Sequence, residues 1–255
     1  MESWALVTGA TAGIGESFTR LLAKNGYNII LVARDLPRLQ ERARALETKF
    51  EISTVVIQAD LSTDAGCLMI ENYIANNQID VLINNAGFGI NKAFTLSQID
   101  IEEQLLSVLV RTPMRLMHVA LVGMKARNKG VIINVSSVAG WIAGGTYSAS
   151  KSYLTVLSES LHTELATTNV KICALCPGFT RTEFHERGRM SMKGLPRFMW
   201  LNSDTLVATA WKHAVSGKAV SVPGWQYQLL TFVIRNAPRS MVRTIGMNVR
   251  VKQRK

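Results

Sequence analysis

The sequence predicts one doubly wound α/β domain, with about seven parallel strands flanked by helices. Short apolar runs rich in β-branched residues alternate with longer stretches of helical periodicity, the pattern of strand and crossover helix. The runs are continuous rather than alternating, as strands buried on both faces require. No repeat, low-complexity stretch or Gly/Ser linker divides the 255 residues, so residues 1–255 read as a single unit. At 47% hydrophobic and 18% charged residues, the chain holds ample apolar material for one core.

The first strand is Trp4–Thr8, continued by a glycine-rich turn and a helical stretch over 13–25. Asn28–Ala33, Thr54–Gln58, 80–84, Gly130–Val135, Val170–Leu175 and 219–222 follow as strands. Each crossover between parallel neighbours is expected to be right-handed. An insertion over 183–202 and a basic segment over 225–255 stand apart by composition.

Charge is unevenly spread. The net charge is +11, yet the first 204 residues hold 20 basic and 18 acidic side chains, and residues 205–255 hold nine basic and none acidic. An anionic membrane surface, nucleic acid or plain solvent would each suit such a tail. Nucleic acid has only charge behind it and no recognisable motif, so it is not expected. Three cysteines cannot build a disulfide framework and no secretory leader opens the chain, so a cytoplasmic setting is expected, with peripheral membrane contact through the tail left open.

The chemistry begins directly after the first strand, in Thr8-Gly9-Ala10-Thr11-Ala12-Gly13-Ile14-Gly15. Glycines there permit a tight turn and close approach of backbone to a pyrophosphate, while the following helix offers N–H groups and a positive dipole end. The second strand ends at Ala33-Arg34-Asp35. An arginine at that place pairs with a ribose 2′-phosphate and a carboxylate with a 2′-hydroxyl, so Arg34 favours NADP(H) while Asp35 leaves NAD(H) open. Downstream, Tyr147 and Lys151 lie one helical turn apart, with Ser136 and Ser137 at a preceding strand end. An ammonium beside a phenol favours the phenolate, and a serine hydroxyl aimed at the same place would hold a carbonyl oxygen.

These motifs, with Asp60-Leu61, Asn84-Asn85-Ala86-Gly87 and Pro177-Gly178-Phe179-Thr180-Arg181-Thr182, stand in the order and spacing of the short-chain dehydrogenase/reductases, which the chain resembles over about residues 4–222. The resemblance implies a Rossmann-type fold in which Ser137, Tyr147 and Lys151 are catalytic. It implies cofactor contacts from Gly9, Thr11, Gly13, Ile14, Gly15, Arg34, Asp60, Leu61, Asn85, Ala86, Gly87, Tyr147, Lys151, Pro177, Gly178, Thr180 and Thr182. Asp60 would meet the adenine amino group and Lys151 the nicotinamide ribose. The Pro177 turn would clamp carboxamide and pyrophosphate, and Asn84 would support the sheet centre. A homodimer or homotetramer is expected on the same ground.

Two positions depart from the family pattern. Leu109 stands where the family usually carries an asparagine that holds a helix kink and a proton-relaying water. Ser137 and Tyr147 are only ten positions apart, a clipped loop that would widen the active-site mouth or bring Ser136 into competition for the serine role.

The remaining candidates are weaker. Cys173 and Cys176 have redox-motif spacing within a strand end, where they would face opposite ways. The four histidines show no metal spacing and no metal is expected; only His185, in the insertion, sits where a ligand would pass. The insertion, rich in Phe, Met and Trp, reads as a lid over an apolar substrate or as surface packing. The stretch 219–234 is too short and broken to span a bilayer. Trp225, Tyr227 and Phe232 beside Arg235, Arg239 and Arg243 would suit an anionic surface, and a cap on the substrate cleft or a subunit contact competes with that reading. The expected function is NADP(H)-dependent interconversion of a carbonyl and an alcohol on a small hydrophobic substrate. The alternative is a catalytically weak NADP(H)-binding sensor that docks a membrane or partner.

Overall fold

Seven strands form one all-parallel sheet in the order β3-β2-β1-β4-β5-β6-β7 in the computed structural model, which describes residues 2–188 and 195–244. They are β1 (Trp4–Thr8), β2 (Asn28–Ala33), β3 (Thr54–Gln58), β4 (Val81–Asn84), β5 (Gly130–Val135), β6 (Val170–Leu175) and β7 (Val220–Ser221). The expected strands are all present. Asp80 precedes β4, with its backbone bonded to Trp4 O and Val131 N–H and its carboxylate accepting from the Trp4 N–H at 3.0 Å, and β7 is shorter than 219–222.

Continuous burial explains the sequence pattern. Ile29, Ile30, Leu31 and Val32 of β2, and Val81, Leu82 and Ile83 of β4, are all inaccessible to solvent. Alternate residues feed two cores: Val7, Ile29 and Ile83 pack under Phe18 and Leu22 of α1 (Gly13–Lys24), and Leu6, Ile30 and Leu82 pack against Ile70, Leu116 and Met117 on the opposite face. The winding reverses between β1 and β4, so their C-terminal ends open a crevice, the usual ligand position in such sheets. Thr8 seals its floor: its Oγ1 donates to Ile83 O and accepts from the Asn85 and Ala86 N–H groups.

The other long helices are α2 (Leu36–Phe50), α3 (Asp64–Asn76), α4 (Ile99–Leu106), α5 (Thr112–Ala126) and α6 (Thr146–Glu164). α4 and α5 form one continuous rod joined by a wider π turn over Ser107–Arg111, closed by the Thr112 N–H on Ser107 O. By length and composition the rod would cross a membrane, but Leu105, Val108, Leu109, Leu116, Met117 and Met124 are buried in the domain. The departure from α geometry that the resemblance links to an asparagine is thus present with Leu109 in its place.

After β6 come a single turn α7 (Phe184–Arg187), a 3₁₀ turn over Arg197–Met199, α8 (Ser203–Val215) and α9 (Trp225–Asn236). Residues 189–194 of the expected lid, the His185 side chain and the basic residues Arg250, Lys252, Arg254 and Lys255 lie outside the described residues. α9 stops before Pro238 and a new helical stretch over 239–244 begins there. Arg235, Arg239 and Arg243 therefore do not share one continuous helix face, although all three are exposed.

Candidate active site

The glycine-rich turn is shaped by contacts that only glycine permits. Gly13 has φ of +58°, and a Cβ there would lie 2.9 Å from the Thr182 side chain. A Cβ on Gly15 would lie 2.2 Å from Gly9 O and 2.4 Å from the Asn85 amide nitrogen. That amide donates to Thr8 O and Gly9 O, at 2.9 and 3.2 Å, and so braces the turn from the end of β4. Ala12 caps α1 without a side-chain hydrogen bond, which leaves the helix N-terminus to a ligand's oxygens. The cradle fits a pyrophosphate: bare backbone, a helix dipole, and the Thr182 turn as its roof.

Just after β3, the Asp60 carboxylate accepts from Ser62 N–H and Oγ at 3.0 and 2.7 Å. Burial pushes its pKa up, but these two bonds and the Arg34 charge outweigh burial and the net shift is downward. Arg34 is exposed at the end of β2. Asp35, its neighbour, is spent on structure: it caps α2 by accepting from the Arg38 N–H at 3.1 Å and pairs with the Arg38 guanidinium at 3.5 Å. Arg38 also pairs with Glu183 at 3.0 Å, tying α2 to the turn that precedes α7. Sequence offers no signal for a pair 145 positions apart.

Of the three expected catalytic residues, Lys151 is the most constrained. It is 4% exposed, donates from Nζ to Val135 O at 2.6 Å, and sits 5.7 Å from the Tyr147 ring centroid. Burial pushes its pKa down to about 8, with Cys176 acting weakly the other way. It therefore remains mostly charged at neutral pH. Tyr147, in the first turn of α6, rests against the cluster of Ile90, Leu105, Val108 and Leu109, and its ring lies 6.0 Å from that of Phe184. Leu109 thus builds the apolar wall behind the phenol.

The clipped loop resolves the two serines. Ser136 is buried, donates to Lys151 O at 2.7 Å and meets Thr155 Oγ1 at the same distance. Ser137 Oγ instead accepts from the Ala139 N–H at 3.1 Å, capping a 3₁₀ turn over Val138–Trp141; this bond uses a lone pair and not the O–H. The Gly140 backbone then lies directly on α6 beside Lys151, so the short loop packs inward. Asn84 also stands where expected, its amide donating to Asn134 Oδ1 across the sheet centre. Cys173 and Cys176 are both buried free thiols, with pKa values raised by burial to about 12 and about 11, a setting that keeps them inert.

Of the two readings of the segment from Trp225, surface or cap, Tyr227 follows the cap: it is fully buried and lies flat on the Pro177–Thr182 turn, where a Cβ on Gly178 would be 2.0 Å from its ring. Its hydroxyl accepts from the Phe179 N–H at 2.9 Å and donates to Met199 O at 2.6 Å. α9 thereby pins the turn and the strap over Arg197–Met199 together. Within α9, the i, i+4, i+7 spacing of Tyr227, Thr231 and Ile234 was the available signal for an inner face.

A parallel sheet with a glycine cradle at its switch point, and a buried lysine beneath a tyrosine at the same crevice, defines a nicotinamide-dependent oxidoreductase. A family model described as short chain dehydrogenase matches residues 3–192. The chain is 29% identical over 248 residues to the very-long-chain 3-oxoacyl-CoA reductase of Rattus norvegicus, covering 89% of this chain and 78% of that protein. It is 30% identical over 239 residues to hydroxysteroid dehydrogenase-like protein 1 of Gallus gallus, covering 91% and 70%. A short-chain dehydrogenase from Sphingobium yanoikuyae solved in complex with NADPH has a TM-score of 0.83 at 27% identity, covering 92% of this chain and 96% of that one. A bulky-bulky ketone specific alcohol dehydrogenase from Comamonas testosteroni gives 0.79 at 27%, covering 93% and 96%. The chain belongs to the short-chain dehydrogenase family, and it is an oxidoreductase that interconverts carbonyl and alcohol groups.

Proposed function

We propose that this oxidoreductase is an NADP(H)-dependent reductase of apolar ketones, with a 3-oxoacyl thioester as the preferred substrate class. The observation that carries the reading is the buried Lys151 charge held under the Tyr147 ring, with the Ser136 hydroxyl committed to Lys151 O, which supports Ser137 as the serine of the site. A bound reduced nicotinamide supplies the hydride. Tyr147 gives its phenolic proton to the substrate oxygen, Ser137 orients that oxygen, and Lys151 stabilises the negative charge that Tyr147 acquires. Asp60, Leu61, the Asn85–Gly87 segment and the Pro177–Thr182 turn hold the cofactor. Phe88, Ile90, Leu109 and Phe184 around Tyr147 support an apolar substrate, as do the similar 3-oxoacyl-CoA reductase and bulky-ketone alcohol dehydrogenase.

NADP(H) is supported by the exposed Arg34 and by the commitment of Asp35 to capping α2. Arg34→Ala is expected to weaken NADPH binding by about tenfold or more while barely changing NADH binding, one charge-assisted contact being worth about 1.5–3 kcal/mol. Equal losses for both cofactors, measured by fluorescence titration, would overturn the assignment. A homo-oligomer is supported by exposed Met114, Val122, Tyr153 and Val156 on α5 and α6, and a cytoplasmic setting by three free cysteines. The test of the whole reading is consumption of NADPH with a panel of 3-oxoacyl thioesters and bulky ketones of increasing chain length. Activity is expected to rise with apolar length; a preference for sugars or short polar ketones would reject the substrate class.

A further inference from the structure

We infer that the outer face of α9 is a docking surface for an anionic lipid bilayer, and that docking sets the strap over the active site against the membrane. α9 lies beyond the residues matched by the family model. Its inner face is Tyr227, Thr231 and Ile234, and a second apolar stripe runs down the opposite side: Trp225, Leu229, Phe232 and Val233, at i, i+4, i+7 and i+8. These four are exposed by between 52% and 70%, and Phe198 of the strap, 62% exposed, adjoins them through the Gln226 side chain bonded to Phe198 O. Nothing among the described residues covers the stripe.

Two polar residues of α9 turn their amides back to the protein, Gln226 donating to Phe198 O and Gln228 to Val222 O, while Asn236, one turn after Phe232, closes on its own helix by donating to Phe232 O. What the helix offers outward is apolar and aromatic surface; Arg235 lays its guanidinium over the Trp141 ring at 5.8 Å, and the exposed Arg239 and Arg243 follow in the next helical stretch. Phe232 and Arg235 also line an open groove of about 490 Å³ with Val222, Gln228, Thr231 and Asn236, an apolar wall beside a cation. No acidic residue occurs in the sequence after Asp204.

Charge decides the occupant. A second copy of this chain meeting the same face would bring the same arginines with no carboxylate of the segment to receive them. An anionic bilayer supplies phosphates for the exposed arginines and hydrocarbon for the stripe, the combination that holds interfacial helices. Tyr227 then carries the consequence inward, since its hydroxyl holds both Met199 O of the strap and the Phe179 N–H of the cofactor turn. An apolar substrate dissolved in the membrane would meet the crevice at its own depth.

The experiment is flotation of the full chain with vesicles of phosphatidylcholine alone or with about one-third phosphatidylglycerol, read beside NADPH binding and oligomeric size. Wild type is expected to float with anionic vesicles and not with neutral ones. Trp225→Gln/Phe232→Gln/Val233→Gln and Arg239→Glu/Arg243→Glu are each expected to weaken flotation about tenfold or more with NADPH binding unchanged. Absence of flotation, or full flotation by both variants, overturns the inference. So does a drop in oligomeric size in the glutamine variant without any vesicle binding, which would assign the face to a second copy. Capture by nucleic acid but not by vesicles would equally reject it. Because vesicle binding is read without turnover, its failure leaves the catalytic reading standing, and the reverse also holds.

Discussion

Tyr147→Phe is expected to lower carbonyl reduction by about two to four orders of magnitude while leaving NADPH affinity near the wild-type value, the scale of a lost general acid. The substitution deletes one oxygen and little else. The ring keeps its seat on Ile90, Leu105, Val108 and Leu109 and its neighbour Phe184, so packing and stability are preserved. What disappears is the proton that the substrate oxygen must receive. Steady-state turnover followed by NADPH absorbance, beside fluorescence titration of the cofactor, separates chemistry from binding. Unchanged turnover in the variant would remove Tyr147 from the mechanism and leave the sensor reading, in which the cofactor is bound without chemistry.

Lys151→Met is expected to produce an equally large loss of turnover together with a distinctive change in how stability depends on pH. The ammonium is fully buried, and its pKa is pushed down to about 8 from an ordinary value of 10.5. A cation whose folded pKa lies below its unfolded one destabilises the folded state. That penalty is fully present below pH 8, fades as the pH rises through 8, and is gone above 10.5. At about 1.4 kcal/mol for each unit, Lys151 costs the cofactor-free protein about 3 kcal/mol at neutral pH. The stability difference between the methionine variant and wild type is therefore expected to shift in favour of wild type by about that amount between pH 7 and 10.5. Urea denaturation of both proteins across this range checks it, since other titrating groups cancel in the comparison. In catalysis, residual alcohol oxidation in the variant is expected to keep rising with pH towards about 10, the ordinary phenol value, because no cation then eases the loss of the Tyr147 proton. A flat difference in stability, or an unmoved pH limb, would contradict the assigned role.

Much of this architecture was legible in the sequence because sheet burial and crossover helices write themselves as apolar runs and 3.6-residue periods. Ile29–Val32 is the clearest case, apolar throughout because β2 is paired on both sides and packed on both faces of the sheet. Gly9, Gly13 and Gly15 were legible because close backbone approach leaves a requirement for a missing Cβ. What stayed hidden were the contacts between distant segments. Arg38 with Glu183, and Tyr227 on Gly178, are set by how the chain after β6 folds back, which no local pattern records. The serines were hidden for a different reason: Ser136 and Ser137 are adjacent, and only the packing of Gly140 on α6 decides which one is buried.

The Arg38–Glu183 pair joins the start of α2, beside Arg34, to the short helix that carries Phe184 beside Tyr147. An engineer who recodes Arg38 to change nucleotide preference would release that clasp as well, and the substrate range would shift along with the coenzyme. Arg34 is the cleaner handle for the first property, and Glu183 for the second.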